Sequence, residues 1–133
     1  MKPTVDQIEV NPFHQQADTQ RYLLENNVQV EAWAPFAEGR NDIFENELLL
    51  SIGQKYTKSV AQVILRWLVQ RGIIVLSKSA HKERMLENIS VLDFHLTEED
   101  MNSIASVDTK TSSFFDHRDP ERVKWFGSRK LDV

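Results

Sequence analysis

A short polar turn between an apolar segment and a helix carries the residues best suited to hold an anion. Residues 73–76 are apolar, and Lys78, Ser79 and Arg84 follow at the start of a predicted helix. Unpaired backbone N–H groups and the positive end of the helix dipole favour an anion there. Lysine adds a point charge, serine a donor and arginine a fork for phosphate oxygens. The pattern predicts a phosphate site, and a solvated helix start is the alternative.

Two further groups of polar residues could contact a ligand. Glu87 and Asn88 lie one turn along the same helix and bring acceptor groups suited to an amino-bearing ring. Gln7 and Glu9 alternate with Ile8 and therefore share one face of a strand. Buried polar side chains need partners, so this pair could meet a carboxamide. The alternative is that groups on neighbouring strands satisfy them.

Composition excludes several functional classes. The 133 residues are 41% hydrophobic and 27% charged, which suits one globular domain. A formal net charge of −4 gives no general attraction to nucleic acid or to an anionic membrane. The chain has no cysteine, and His14, His95 and His117 lack metal-ligand spacing, so no metal site is expected. No spanning apolar run or leader follows Met1, which predicts a soluble cytoplasmic protein.

Extended and helical patterns alternate along the chain, which predicts βα units and a parallel sheet. Strands are expected at residues 5–10, 28–33 and 73–76, and helices at residues 16–26 and 47–56 and after Ser59 and Thr97. The helix after Ser59 has the clearest apolar periodicity, in Val60, Val63, Ile64, Trp67 and Leu68.

Local signals refine this prediction. Asn46 is the expected N-cap of the second helix, Gly72 follows the third, and residues 97–100 have the spacing of a capping box. Tyr22, Leu23 and Leu24 are available for burial, and the apolar run 73–76 is expected to be buried on both faces. Beyond Thr109 no periodicity predicts a further element. Tyr22 and Tyr56 have helical positions with apolar neighbours, so neither is expected to donate a proton.

Four blocks of the sequence resemble the aldo-keto reductase family. Leu76-Ser77-Lys78-Ser79, with Arg84, Glu87 and Asn88 after it, is similar to the family's cofactor signature. Residues 5–13, 31–36 and 91–100 resemble three other family segments, and all four occur in the family's order. The chain is identified as similar to the C-terminal half of such a protein, in particular to bacterial members that resemble diketogluconate reductases.

The resemblance implies the fold and the cofactor. The family has a (β/α)8 barrel of roughly 250 residues, so this α/β chain is expected to form its C-terminal part, with about three parallel strands in one partial NADP-binding domain, residues 1–133. In the family, the glutamine at Gln7 contacts the nicotinamide amide and the aromatic residue at Trp33 stacks on its ring. The cofactor-binding residues implied in this chain are Gln7, Trp33, Lys78, Ser79, His81, Arg84, Glu87 and Asn88.

Three residues depart from the family pattern. Ser77 stands where proline is usual, and His81 where a hydroxyl residue commonly caps the helix and contacts the 2′-phosphate. Imidazole is a poorer N-cap, although its protonated form would add positive charge near a phosphate. Lys82 replaces another common proline and adds a cation. The positive cluster therefore favours NADP over NAD.

No residue of the chain is expected to be catalytic. The family's catalytic Asp, Tyr, Lys and His belong to its first half, and nothing here matches their surroundings. One hypothesis is therefore a cofactor-binding half of an NADPH-dependent carbonyl oxidoreductase, which reduces a small aldehyde or ketone only when a first half is supplied. The other is a non-catalytic, truncated module that binds NADP or a partner. An oligomer or a complementing fragment is the expected partner, without nucleic acid or membrane.

Overall fold

Ten helical or extended elements follow one another in the computed structural model, which describes residues 1–116 and 118–130. In chain order they are β1 (Val5–Glu9), α1 (Ala17–Glu25), β2 (Gln29–Trp33), a segment of 3-10 turns (Ala37–Glu45), α2 (Glu47–Tyr56), α3 (Val60–Gln70), β3 (Ile74–Val75), α4 (Lys82–Ile89), α5 (Glu98–Ala105) and α6 (Pro120–Ser128). His117, which the sequence places at the surface or in packing, lies outside the described residues. The predicted alternation of strands and helices is confirmed.

The three strands form one parallel sheet in the order β1-β2-β3. Glu9 pairs with Trp33 across the first ladder, and Ala32 pairs with Val75 across the second. The N–H of Leu76 donates to the carbonyl of Ala32 at 3.2 Å, which extends the second ladder by one residue. The carboxyl ends of all three strands therefore reach the same edge of the sheet, and the loops after them meet there.

Helix α3 is the centre of the hydrophobic core. All five residues of its predicted apolar stripe are buried, and Trp67 is the largest of the fully buried side chains. Ser59 caps the helix in a reciprocal capping box with Gln62, and Gly72 follows its end with a φ of +73°. Burial of one continuous stripe thus fixes α3 between α2 and the strand that follows it.

Three expectations about burial and extent are wrong. In α1 only Leu23 is buried, while Tyr22 and Leu24 are exposed, because a nine-residue helix presents a single narrow stripe to the sheet. Strand β3 is an edge of the described sheet, so Ile74 is 44% exposed rather than buried on both faces. The segment after Thr109 contains a helix, α6, which begins with Pro120 and is capped by the Asp119 side chain.

Asp100 joins α5 to α2 through a buried carboxylate. Its oxygens accept hydrogen bonds from the Thr97 N–H at 3.0 Å, from Lys55 Nζ at 3.0 Å and from the Tyr56 hydroxyl. Burial alone would raise the pKa of Asp100, but the hydrogen bonds from Tyr56, Thr97 and Lys55 outweigh it and hold the pKa at about 2. The hydrogen bond to Asp100 raises the pKa of Lys55. The predicted capping box is therefore also a tertiary contact.

Replacement of Asp100 by asparagine should destabilise the fold in a pH-dependent manner. We expect Asp100→Asn to lower the free energy of unfolding by about 2 kcal/mol at neutral pH, because a donor replaces an acceptor oxygen in this network. A lowered pKa means that the ionised carboxylate stabilises the fold fully above pH 3.8 and loses this effect as the pH falls towards 2. Urea unfolding of both proteins at several pH values measures the difference.

The matched control is Asp18→Asn, because the Asp18 side chain is exposed and, among the described residues, its ion pair is with Arg21. Such pairs contribute about 0.2–1 kcal/mol. A loss of stability in Asp100→Asn that is no larger than in this control, or that is unchanged at acid pH, would contradict the role given to the Asp100 network.

Candidate cofactor site

A cleft of about 1020 Å³ opens at the edge of the sheet where β1 and β2 end. Its lining includes Gln7 and Glu9 from β1, Trp33 from β2 and Phe114 from the segment that follows α5. The register of the parallel strands explains this meeting, since Glu9 and Trp33 are paired and are the last residues of their strands. The sequence places Gln7 and Trp33 in one site, and the structure brings both to this cleft.

Gln7 is held by the neighbouring strand. Its amide Nε2 donates to Glu31 Oε1 at 2.6 Å, and the side chain is exposed at the cleft. This contact is the alternative that the sequence left open, in which a neighbouring strand satisfies the glutamine. Among the described residues, the amide oxygen of Gln7 accepts no hydrogen bond, so this acceptor is available to a ligand in the cleft.

Trp33 forms an aromatic wall of the cleft. The tryptophan is half-buried at the end of β2, and its ring centroid lies 5.0 Å from that of Phe114 at an interplanar angle of 46°. The side chain lines the cleft at the rim of the sheet and is not a fully buried core tryptophan. A flat ring at this position can stack against a planar ligand.

The start of α4 offers backbone donors and cations to an anion. His81 is the N-cap residue, but its imidazole makes no capping hydrogen bond, and the first helical bond is from the Met85 N–H to the His81 carbonyl. Lys78, Lys82 and Arg84 are exposed, and within residues 1–116 and 118–130 none of them has an ion pair or a side-chain hydrogen bond. This donor set is what an anionic phosphate needs.

Ser79 and Glu87 already have partners within the chain. The Ser79 hydroxyl accepts a hydrogen bond from the His81 N–H at 3.1 Å and shapes the turn into α4. The Glu87 carboxylate accepts a hydrogen bond from the Ser59 hydroxyl, while Gln62 Nε2 donates to the Glu87 carbonyl at 3.2 Å. These contacts fasten α4 to the beginning of α3. The neighbouring Asn88 is half-buried on the same helix.

The structure thus arranges the eight predicted site residues in two groups. Gln7 and Trp33 lie in the cleft, whereas the six others belong to α4 and the turn that leads into it. Leu76 extends the ladder beside Ala32, so this turn leaves the sheet at the same edge as Trp33. Both groups therefore lie on one rim, as expected for a ligand site built on parallel strands.

Two features of this region were missed from the sequence. Phe114 and Ser112 reach the cleft from a segment far along the chain and were not among the predicted site residues. One hint was that Glu9 shares a strand face with Gln7 and, if buried, needs partners. The contact of Tyr56 and Lys55 with Asp100 unites residue types that can move protons. These three residues do not line the cleft, and their hydrogen bonds serve the cap of α5.

The described part of the chain lacks two other kinds of site. Its histidines and carboxylates form no group of three or more that could hold a metal ion. None of its helices combines the length and the apolar character needed to cross a membrane.

Comparison with known proteins identifies the family. The model of the aldo/keto reductase family matches residues 1–109. The chain belongs to the aldo-keto reductase family. The resemblance drawn from the four sequence blocks is confirmed, and the parallel sheet with its helices is part of the barrel of these reductases.

Three aldo-keto reductase relatives illustrate the similarity. The glyoxal reductase of Bacillus subtilis is 41% identical over 104 residues, which are 78% of this chain and 37% of that protein. The structure of the silkworm (Bombyx mori) aldo-keto reductase AKR2E5 complexed with NADPH has a TM-score of 0.78 and 39% identity and covers 85% of this chain and 37% of its own. A structure named for 2,5-diketo-D-gluconic acid reductase B has a TM-score of 0.79 and 30% identity. The match covers 86% of this chain and 40% of that chain.

The chain spans about two fifths of the length of these aldo-keto reductases. The similarity to a diketogluconate reductase agrees with the subgroup expected from the sequence. NADPH is the cofactor in the silkworm complex. The eight site residues of this chain remain predictions.

Proposed function

We propose that this chain is the NADPH-binding part of an aldo-keto oxidoreductase that acts on a small aldehyde or ketone. Residues 1–133 would then form one partial barrel domain. The observation that carries the proposal is the start of α4, where unpaired backbone donors and three exposed cations lie on the same rim as the cleft. A dinucleotide has anionic phosphates at one end and a planar ring at the other, which suits these two neighbouring environments.

The adenosine end is proposed to lie at α4. Arg84 and Lys78 would bind the 2′-phosphate with Ser79, and His81 would lie beside it at the helix start. Contacts of a phosphate with charged donors contribute roughly 1.5–3 kcal/mol each. Glu87 and Asn88 are proposed to contact the adenine, and the hydrogen bond from Ser59 supports this role because it fixes the carboxylate of Glu87.

The nicotinamide end is proposed to lie in the cleft. The free amide oxygen of Gln7 can accept from the carboxamide, and Trp33 offers a flat face to the ring. NADPH supplies a hydride to a carbonyl carbon when it is bound. Gln7 and Trp33 would orient the ring, because hydride transfer requires the cofactor to be held face-on to the substrate.

The names of relatives support the substrate class. One relative is a glyoxal reductase, and glyoxal is a small dialdehyde. We extend only the class, a small aldehyde or ketone, to this chain. The cytoplasmic location expected from the sequence stays a prediction.

Catalysis is proposed to need the remaining part of the barrel, in the same or in another polypeptide. An exposed apolar band supports such a partner. It consists of Ile74 and Leu76 at the β3 edge and of Leu86, Ile89 and Leu92 on and after α4, the last three being 67%, 68% and 72% exposed. Edge strands and apolar patches of this kind promote association. A complementing barrel segment or a second copy would cover the band.

Replacement of Arg84 tests the phosphate assignment. We expect Arg84→Ala to weaken NADPH binding about ten- to a hundred-fold while NADH binding stays nearly unchanged, since only NADPH carries the 2′-phosphate. Arg84→Lys should bind NADPH more tightly than Arg84→Ala but more weakly than the wild type, because the point charge of lysine replaces the forked guanidinium of arginine. Fluorescence titration of the purified chain with each cofactor measures the two dissociation constants.

The matched control is Arg21→Ala, which removes the same charge from an exposed position on α1, where Arg21 forms an ion pair with Asp18. It should leave both dissociation constants unchanged. An equal loss of affinity for NADPH and NADH in Arg84→Ala would refute the phosphate assignment. A wild-type chain that binds neither cofactor would refute the proposed function.

The chain alone should not reduce aldehydes at a useful rate. A missing general acid typically costs about 10²–10⁴-fold in rate, and we expect the family's proton-donating residues to come from the first half of the barrel. Addition of the N-terminal barrel segment of the glyoxal reductase relative, as a separate polypeptide, should restore NADPH oxidation with glyoxal. Sedimentation of the chain with and without that segment reports whether the two associate.

Ordinary turnover by the chain alone would show that it holds its own catalytic residues. A monodisperse monomer that binds NADPH, ignores the added segment and reduces no aldehyde would instead favour the non-catalytic NADP-binding module. The N-terminal segment alone is the activity control, because it must be inactive for restoration to be meaningful.

A further inference from the structure

Glu9 carries a buried carboxylate at the end of β1. The residue is 1% exposed, and a carboxylate in such a position is costly unless its oxygens accept hydrogen bonds. Its Oε1 accepts from Asn11 Nδ2 at 3.1 Å and from the Ser113 N–H at 3.0 Å, and its Oε2 accepts from the Ser112 hydroxyl. Two of these three donors follow Glu9 by more than 100 residues in the chain. The carboxylate is therefore satisfied only when that distant segment lies on the end of β1.

The Ser112 hydroxyl links Glu9 to the backbone of Phe114 and Phe115. While it donates to Glu9, its oxygen accepts from the N–H of Phe114 at 3.0 Å and from the N–H of Phe115 at 3.2 Å. A hydroxyl has one donor and two acceptor sites, so Ser112 uses its full capacity. The backbone of residues 112–115 is thereby folded around a single oxygen atom that Glu9 holds in place.

The loop after β2 holds the same turn from the other side. Arg40 Nη1 donates to the Ser113 carbonyl at 2.9 Å, and Asn41 Nδ2 donates to Ser113 Oγ at 3.1 Å. The Arg40 guanidinium also lies 4.4 Å from the centroid of the Phe114 ring. Between these two attachments, Phe114 contacts Trp33 in the cleft.

We infer that Glu9 is a positioning residue of the cleft: through Ser112 it holds Phe114 against Trp33 and so completes the aromatic wall that receives the nicotinamide end of the dinucleotide. This inference rests on the proposed function. Glu9 itself does not bind the ligand, because its oxygens are occupied by Asn11, Ser112 and Ser113. Loss of the anchor should therefore affect the nicotinamide end and leave the α4 site intact, because Lys78, Lys82 and Arg84 form no hydrogen bond or ion pair with residues 112–115 in the described structure.

The experiment compares two ligands in the purified chain. NADPH carries both ends, whereas adenosine 2′,5′-bisphosphate lacks the nicotinamide. Ser112→Ala removes the central hydroxyl, Ser112→Thr restores it, and Glu9→Gln keeps the size of the side chain. Ser106→Ala is the matched control, because within the described residues the Ser106 hydroxyl donates to the Ser103 carbonyl at the end of α5 and does not contact the cleft.

We expect Ser112→Ala and Glu9→Gln to weaken NADPH binding about tenfold, because each variant loses hydrogen bonds that anchor Phe114. Binding of adenosine 2′,5′-bisphosphate should change less than about twofold. Ser112→Thr and Ser106→Ala should behave as the wild type. Chymotrypsin should cleave after Phe114 and Phe115 faster in the two weakened variants, which reports the loosened segment without any cofactor. If Glu9→Gln fails to fold, the results for Ser112→Ala test the positioning role by themselves.

Different failures have different meanings. If the wild type binds both ligands and Ser112→Ala changes neither NADPH affinity nor cleavage, the positioning role is overturned and the proposed function stands. Equal weakening of both ligands overturns it as well, because the effect would then be general. A wild-type chain that binds neither ligand overturns the proposed function and the positioning role together.

Discussion

The parallel register of the three strands is the constraint on which the rest of the structure depends. Parallel neighbours cannot be joined by a tight turn, so each strand needs a helical crossover before the next. Helix α1 returns the chain from β1 to β2, and α2 with α3 returns it from β2 to β3. Because all strands then run the same way, Glu9, Trp33 and Leu76 end at one edge. Residues that are far apart in the sequence become neighbours there.

Features that depend on local sequence were predicted well. The stripe of α3 and the caps at Asn46 and Thr97 each depend on residues within a turn or two of one another, so periodicity and spacing reveal them. Exposure in α1 and β3 was not predictable in this way. The side chain of Ile74 has the character of a buried strand residue, and only the order of the sheet shows that it lies at an edge.

The candidate site also has one part that local sequence predicts and one part that it does not. The cations around α4 lie within a few residues of one another, so the sequence alone indicates an anion site in a chain of net negative charge. The hydrogen bond between Ser59 and Glu87 spans 28 residues, and that between Glu9 and Ser112 spans 103. No local pattern reports such pairs. The first hint was a physical one, since a glutamate that becomes buried requires hydrogen-bond donors from elsewhere.

The contact between Gln7 and Glu31 has a consequence for the chemistry that the cleft can recognise. A carboxylate offers only lone pairs, so the 2.6 Å contact must be made by the N–H of Gln7, which fixes the amide with its oxygen on the other side. A ligand that approaches this oxygen must bring a hydrogen. Under the proposed function, the nicotinamide carboxamide can bring one, whereas the acid form of the same ring would set oxygen against oxygen. Glu31 would thus make the cleft discriminate between an amidated dinucleotide and its deamidated counterpart without touching either.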